Sequence, residues 1–146
     1  MKAMPTTAPG NPVLLKTDVL EVRQGEQVGF LSARWLRHPS SAEFRENNYL
    51  LADLLLGRGC RRLLNDARAV LYLELADQHW LMQQLLPLLS ATLLERHACV
   101  VSQMSLELMD TDRLLQHFAC QPGSQGKTIG TRLFLDPSPA RDWLLL

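Results

Sequence analysis

The sequence predicts a single-domain α/β fold: a mixed, mainly parallel sheet of about five strands with four helices. Three observations carry this reading. Short apolar, β-branched runs alternate along the chain with longer stretches of helical periodicity. Gly, Pro and Asp punctuate nearly every junction. A length of 146 residues, 47% of them hydrophobic, is enough to bury one core of ordinary size and excludes disorder over most of the chain. Residues 1–12, with Pro5, Pro9 and Gly10, read as a flexible lead-in, and 13–146 as the domain.

The elements follow in order. Val13 to Val22 reads as one strand, Gln24-Gly25-Glu26 as a turn, and Val28 to Trp35 as the returning strand of an antiparallel hairpin. In the returning strand Val28, Phe30, Ser32 and Arg34 alternate with Leu31, Ala33 and Trp35, so the second set faces the opposite side of the sheet. Ser40 or Ser41 caps a first helix, with Glu43 in its first turn and Phe44, Leu51, Leu54 and Leu55 along one face. Gly57-Arg58-Gly59 ends it. Cys60 to Asp66 is a buried strand, parallel to a neighbour because a helix precedes it.

Asp77 is expected to cap a longer helix from Gln78 to Glu95, kinked by Pro87, which lacks a backbone donor. Ala98 to Ser102 is the next strand, and a third helix centres on Asp112 to Ala119. Gln121 to Lys127 is a loop by composition, and Thr128 to Leu135 the last strand. Asp136-Pro137 caps a terminal helix carrying Ala140, Trp143 and Leu144.

Composition limits function. Fifteen basic and fifteen acidic residues leave a formal net charge of +0, against nucleic acid or an anionic membrane surface as the main partner. No run of about 18 apolar residues occurs, so no membrane span is expected. Cys60, Cys99 and Cys120 are odd in number and widely spaced, which suits a reducing cytoplasm better than a disulfide framework.

The order of elements, Asn65-Asp66 closing a strand, the Pro87 helix, the strand Ala98-Cys99-Val100-Val101 and the ending Ala140-Arg141-Asp142-Trp143-Leu144 together resemble one group. They are similar to bacterial STAS-like proteins, the SpoIIAA-like fold of anti-sigma-factor antagonists. The resemblance spans roughly Val13 to Leu146 and implies a non-enzymatic regulatory domain that works through protein contacts. Its regulatory members carry an Asp-Ser-Ser-Gly type motif after the third strand, with a hydroxyl that a kinase phosphorylates. Here that place reads Asn65-Asp66-Ala67-Arg68-Ala69-Val70, and no Ser or Thr stands between Asp66 and Leu89. The phosphoryl switch therefore does not carry over.

Other motifs read as ordinary structure. Gly126-Lys127-Thr128 lacks the first Gly of a phosphate loop, because position 121 is Gln, and it precedes a strand rather than a helix. His117 with Cys120, and His97 near Cys99, fall short of a metal-ligand set, so neither metal nor cofactor is expected. His38, His79, His97 and His117 have no nucleophile in motif context, and no catalytic residue is assigned. Arg58, Arg61 and Arg62 form a basic cluster at a strand start.

Two functions follow from different classes. The first is the protein-interaction domain, with a protein partner or a homodimer. At 100° per residue, Leu81, Met82, Leu85, Leu86, Leu88, Leu89 and Leu93 fill an arc of roughly 160° toward the sheet. Trp80, Pro87, Ala91 and Leu94 are left as a candidate partner surface. The alternative is a small-molecule-binding or enzymatic domain using the carboxyl edge of the sheet at Asn65, Asp66 and Ser102.

Overall fold

The computed structural model describes residues 11–108 and 129–146. Six strands form one mixed sheet in the order of the chain: β1 (Val13–Lys16), β2 (Leu20–Gln24), β3 (Phe30–Trp35), β4 (Arg62–Asp66), β5 (Arg96–Val100) and β6 (Gly130–Phe134). The first two pairings are antiparallel, and those from β3 to β6 are parallel.

The expected α/β class is present, with six strands in place of about five. The expected strand Val13 to Val22 is in fact two strands, because Thr17 turns the chain. Its Oγ1 accepts from the amides of Val19 and Leu20, at 3.2 and 3.0 Å, and its own amide donates to the Leu20 carbonyl at 2.8 Å. A hydroxyl that satisfies two amides competes well with a continuing ladder.

Helix α1 (Ser41–Gly57) begins with a capping box. Ser40 Oγ accepts from the Glu43 amide, and the Glu43 carboxylate accepts from the Ser40 amide. The helix ends at Gly59, where φ is 60°. The Cys60 amide then donates to Leu55 O and the Gly59 amide to Leu56 O, the pairing that a left-handed residue makes available.

The second helical rod departs from expectation in three ways. It starts earlier, as α2 (Leu75–Trp80), continues through a π turn (Leu81–Leu85) and ends as α3 (Leu86–Ser90). Asp77 is not its cap. It is 4% exposed and accepts from Ser41 Oγ at 2.6 Å and Arg45 Nε at 2.9 Å, fastening α2 to the start of α1. The π turn, in which the Leu86 amide reaches back to Leu81 O, ends two residues before Pro87.

Met82, Leu85, Leu86 and Leu89 are buried, as the arc predicts, while Leu88 is exposed, and so is Leu93, which lies beyond the end of the rod. The rod ends before Leu94, which the following loop carries into the core.

Helix α4 (Gln103–Leu108) follows β5, where the sequence predicts a third helix; the best-defined part of that expected helix, Asp112 to Ala119, and the loop Gln121 to Lys127 lie outside the described residues. Helix α5 (Pro137–Leu144) opens as expected, with Asp136 Oδ1 accepting from the Ser138 amide at 3.2 Å.

The two sheet faces are covered differently. Leu31, Ala33, Trp35 and Leu63 belong to one apolar cluster with Leu51 and Leu55 of α1 and Leu85, Leu86 and Leu89 of the second rod. On the opposite face Phe30, Leu64, Ala98 and Val100 pack with Ala140 and Leu144 of α5.

Candidate functional site

Parallel pairing aligns residues of equal parity into rows across the sheet. One row holds Leu31, Leu63, His97 and Thr131, and the next holds Ala33, Asn65, Cys99 and Leu133. Successive side chains alternate between faces, so both rows point to the same side, toward α1 and the second rod. Between these rows and the helices lies a cavity of about 130 Å³. Phe44 and Leu51 of α1, Leu81 and Leu85 of the π turn, and Leu89 of α3 form its helical wall. Trp35 stacks on Phe44 with ring centroids 5.7 Å apart, and both line it.

The wall is mostly apolar, but Asn48, Asn65, His97, Cys99 and Thr131 also reach it. Three of its residues form a hydrogen-bonded chain. Trp35 Nε1 lies 3.2 Å from Asn65 Oδ1, and Asn65 Nδ2 lies 3.4 Å from His97 Nε2. An indole N–H only donates, so it fixes the Asn65 oxygen toward Trp35 and the amide nitrogen toward His97. His97 Nε2 is then an acceptor, and the neutral ring carries its proton on Nδ1. Thr131, beside His97 in the β5–β6 register, has its Oγ1 buried without a hydrogen-bond partner.

The polar groups of this cavity are uncharged at neutral pH. Burial lowers the His97 imidazole to about 4. Burial, helped by the negative charge of Asp66, pushes the Cys99 thiol up to about 12, although the cavity leaves part of its surface uncovered. A thiol that keeps its proton is a weak nucleophile. No Lys, Arg, Asp or Glu lines the cavity among the described residues. Among the described residues the wall offers hydrogen-bonding groups and no charged side chain.

The candidate edge residues separate. Asn65 lines the cavity. Asp66 points to the other face, and the Arg68 guanidinium holds it with Nη2–Oδ2 2.7 Å and Nε–Oδ1 2.9 Å. Ser102 starts α4: its Oγ accepts from the Ser105 amide at 3.1 Å, while the buried Ser105 hydroxyl ties the helix to the Val70 carbonyl at 2.9 Å. The three do not meet in one pocket.

The candidate partner stripe also divides. Trp80 and Leu94 are 8% and 5% exposed and belong to the core, while Pro87 and Ala91 remain on the surface. Trp80 packs edge-on against Phe44 and Tyr49 and donates from Nε1 to Tyr49 Oη at 3.3 Å. The stripe as a single exposed face is therefore corrected. The π turn breaks its phase, and the end of α3 releases Leu94.

The basic cluster disperses as well. Arg61 pairs with Glu95 at 2.9 Å, Arg62 donates to the Leu144 carbonyl, and Arg58 is exposed. Residues 126–128, His117 and Cys120 lie outside the described residues. Among the described residues no group of three or more His, Cys, Asp and Glu could hold a metal, and no helix is long and apolar enough to cross a membrane.

Sequence reasoning missed His97, Cys99 and Thr131 as site residues. The available signal was parity: polar residues at inward positions of otherwise buried strands, in step with Asn65. Compared with known proteins, the chain matches no family model, no curated protein and no solved structure.

Proposed function

We propose that this is a ligand-binding domain, and that its ligand is a small, mainly apolar molecule held between the sheet and the helices. The cavity carries the reading. Left empty, a void of 130 Å³ costs about 3 kcal/mol, a large part of a typical domain's stability of about 5–15 kcal/mol. Cavities of about 150 Å³ lined by aliphatic side chains take up benzene. Packing alone does not account for polar groups from β4, β5 and β6 converging on such a space; binding does.

The STAS-like architecture stays part of the proposal, supported by the α/β alternation and the parallel run from β3 to β6. In this reading the domain regulates through what it binds, in a reducing cytoplasm that the free thiols of Cys60 and Cys99 support. A protein partner or homodimer is the weaker alternative, because two of the four stripe residues are buried.

Thermal unfolding in rising benzene concentration tests the reading. A ligand that binds only the native state raises Tm with its concentration, by about 2.7 kcal/mol of stability at one hundred times its Kd. Ala67 lines the cavity. Ala67→Leu should fill part of it, raise the ligand-free Tm and abolish the response. A wild-type Tm indifferent to benzene would reduce the cavity to a packing defect.

A further inference from the structure

We infer that the ligand is a neutral monocyclic aromatic bearing one hydroxyl, of the phenol class, with that hydroxyl on Thr131 Oγ1. This rests on the cavity being a binding site, and it names what the site selects. The size admits one ring and little more. The Trp35–Phe44 pair and the π-turn leucines supply apolar and aromatic surface for that ring.

Selection comes from the polar side. The Trp35 N–H is spent on Asn65, and one N–H of the Asn65 amide is spent on His97. Asn48 Nδ2 donates to the Phe44 carbonyl at 2.8 Å. Thr131 lines this wall, and its Oγ1, covered by protein while the cavity is empty, has no hydrogen-bond partner there, so a turn about χ1 is what brings the hydroxyl to the ligand. A buried hydroxyl without a partner is costly, and a ligand hydroxyl can donate to it or accept from it. Charge is selected against. The described wall has no ionised side chain, so a carboxylate or ammonium would enter without a counter-charge.

Titrating the full chain at pH 7 with benzene, phenol and benzoate, followed by amide chemical shifts, tests this. Phenol should bind wild type about tenfold more tightly than it binds Thr131→Val, the effect of about one good hydrogen bond. Benzene should bind the two proteins alike, Thr131→Ser should keep the phenol affinity, and benzoate should not bind. If benzene binds but phenol is indifferent to Thr131→Val, or benzoate binds as well as phenol, this inference is overturned while the cavity reading stands. If neither benzene nor phenol binds wild type, the cavity reading itself fails, and this inference with it.

Discussion

The two faces of the sheet solve the same problem with different means. On one, four helical segments, α1, α2, the π turn and α3, join a cluster of nineteen buried residues among those described and still leave a cavity. On the other, among the described residues, α5 is the helix that closes a cluster of six. That eight-residue helix is pinned at its C-terminal end by arginines from the sheet. Arg96 Nη1 donates to Trp143 O at 2.9 Å, Arg62 donates to Leu144 O, and the Arg96 and Arg132 guanidinium groups each lie 5.5 Å from the centre of the Trp143 ring. Cations at this end also oppose the helix dipole. A face with several helices has volume to spare for a ligand; a face on which the described residues place one short helix depends on every contact that helix makes.

Leucine truncation exposes this contrast most strongly. Leu144 is 0% exposed in the smaller cluster, and Leu144→Ala should cost about 4 kcal/mol and lower Tm by roughly 10 °C or more. Leu81 lines the cavity and is only half-buried, so Leu81→Ala should cost about 1–2 kcal/mol. Thermal unfolding of the pair reads the difference, and equal losses would remove the distinction between the faces.

Acid should attack the cavity face first. In the unfolded chain the His97 imidazole gains its proton near 6.5, whereas in the fold burial delays this to about 4. Between these values the unfolded state binds the extra proton, so stability falls as pH falls, by about 1.4 kcal/mol per pH unit. His97→Gln should flatten that slope in urea titrations from pH 7 to 4. Glu43, half-buried and lowered from 4.5 to about 2 by its hydrogen bonds to Arg37 and Ser40, acts in a separate window: its contribution is complete above 4.5 and disappears as pH falls to 2.

The smallest effect belongs to the arginine cover. Arg132 is exposed and stacks over both Phe134 and Trp143. Arg132→Met should cost about 0.5–1 kcal/mol, visible as a small drop in urea midpoint followed by tryptophan fluorescence.

What the sequence disclosed was local. The cap at Ser40 or Ser41 with Glu43 in the first turn, the stop at Gly57-Arg58-Gly59 and the Asp136-Pro137 start each depend on residues within a few positions, and each is found in the structure, where the cap is Ser40. Misreadings came where a partner is distant or a period changes. Asp77 has the look of a cap because Arg45, its charge partner, stands 32 positions away. The π turn was invisible because 3.6 residues per turn was assumed through Leu81–Leu85, which put Trp80 outside, and Leu94 was placed outside because the helix was run on past Ser90. Thr17 was lost inside an apolar run, since its turn is made by one hydroxyl. Of the cavity, Asn65 alone was named; His97 and Thr131 become neighbours only through the β5–β6 register.

The strand order has a consequence for how the molecule comes into being. Each parallel pairing joins residues 32 or 34 positions apart: Phe30 with Arg62, Arg62 with Arg96, Arg96 with Gly130. The parallel part is thus a winding of nearly constant pitch in sequence, although no repeat is visible in the residues themselves. Every strand finds its partner in the segment synthesised just before it, so no pairing has to wait for a distant stretch of chain, and loop closure is kept short for a parallel sheet. The binding wall is assembled in the same order, with Trp35 first, then Asn65, then His97 and finally Thr131. A nascent chain therefore holds the apolar part of the site before the hydroxyl that selects its ligand.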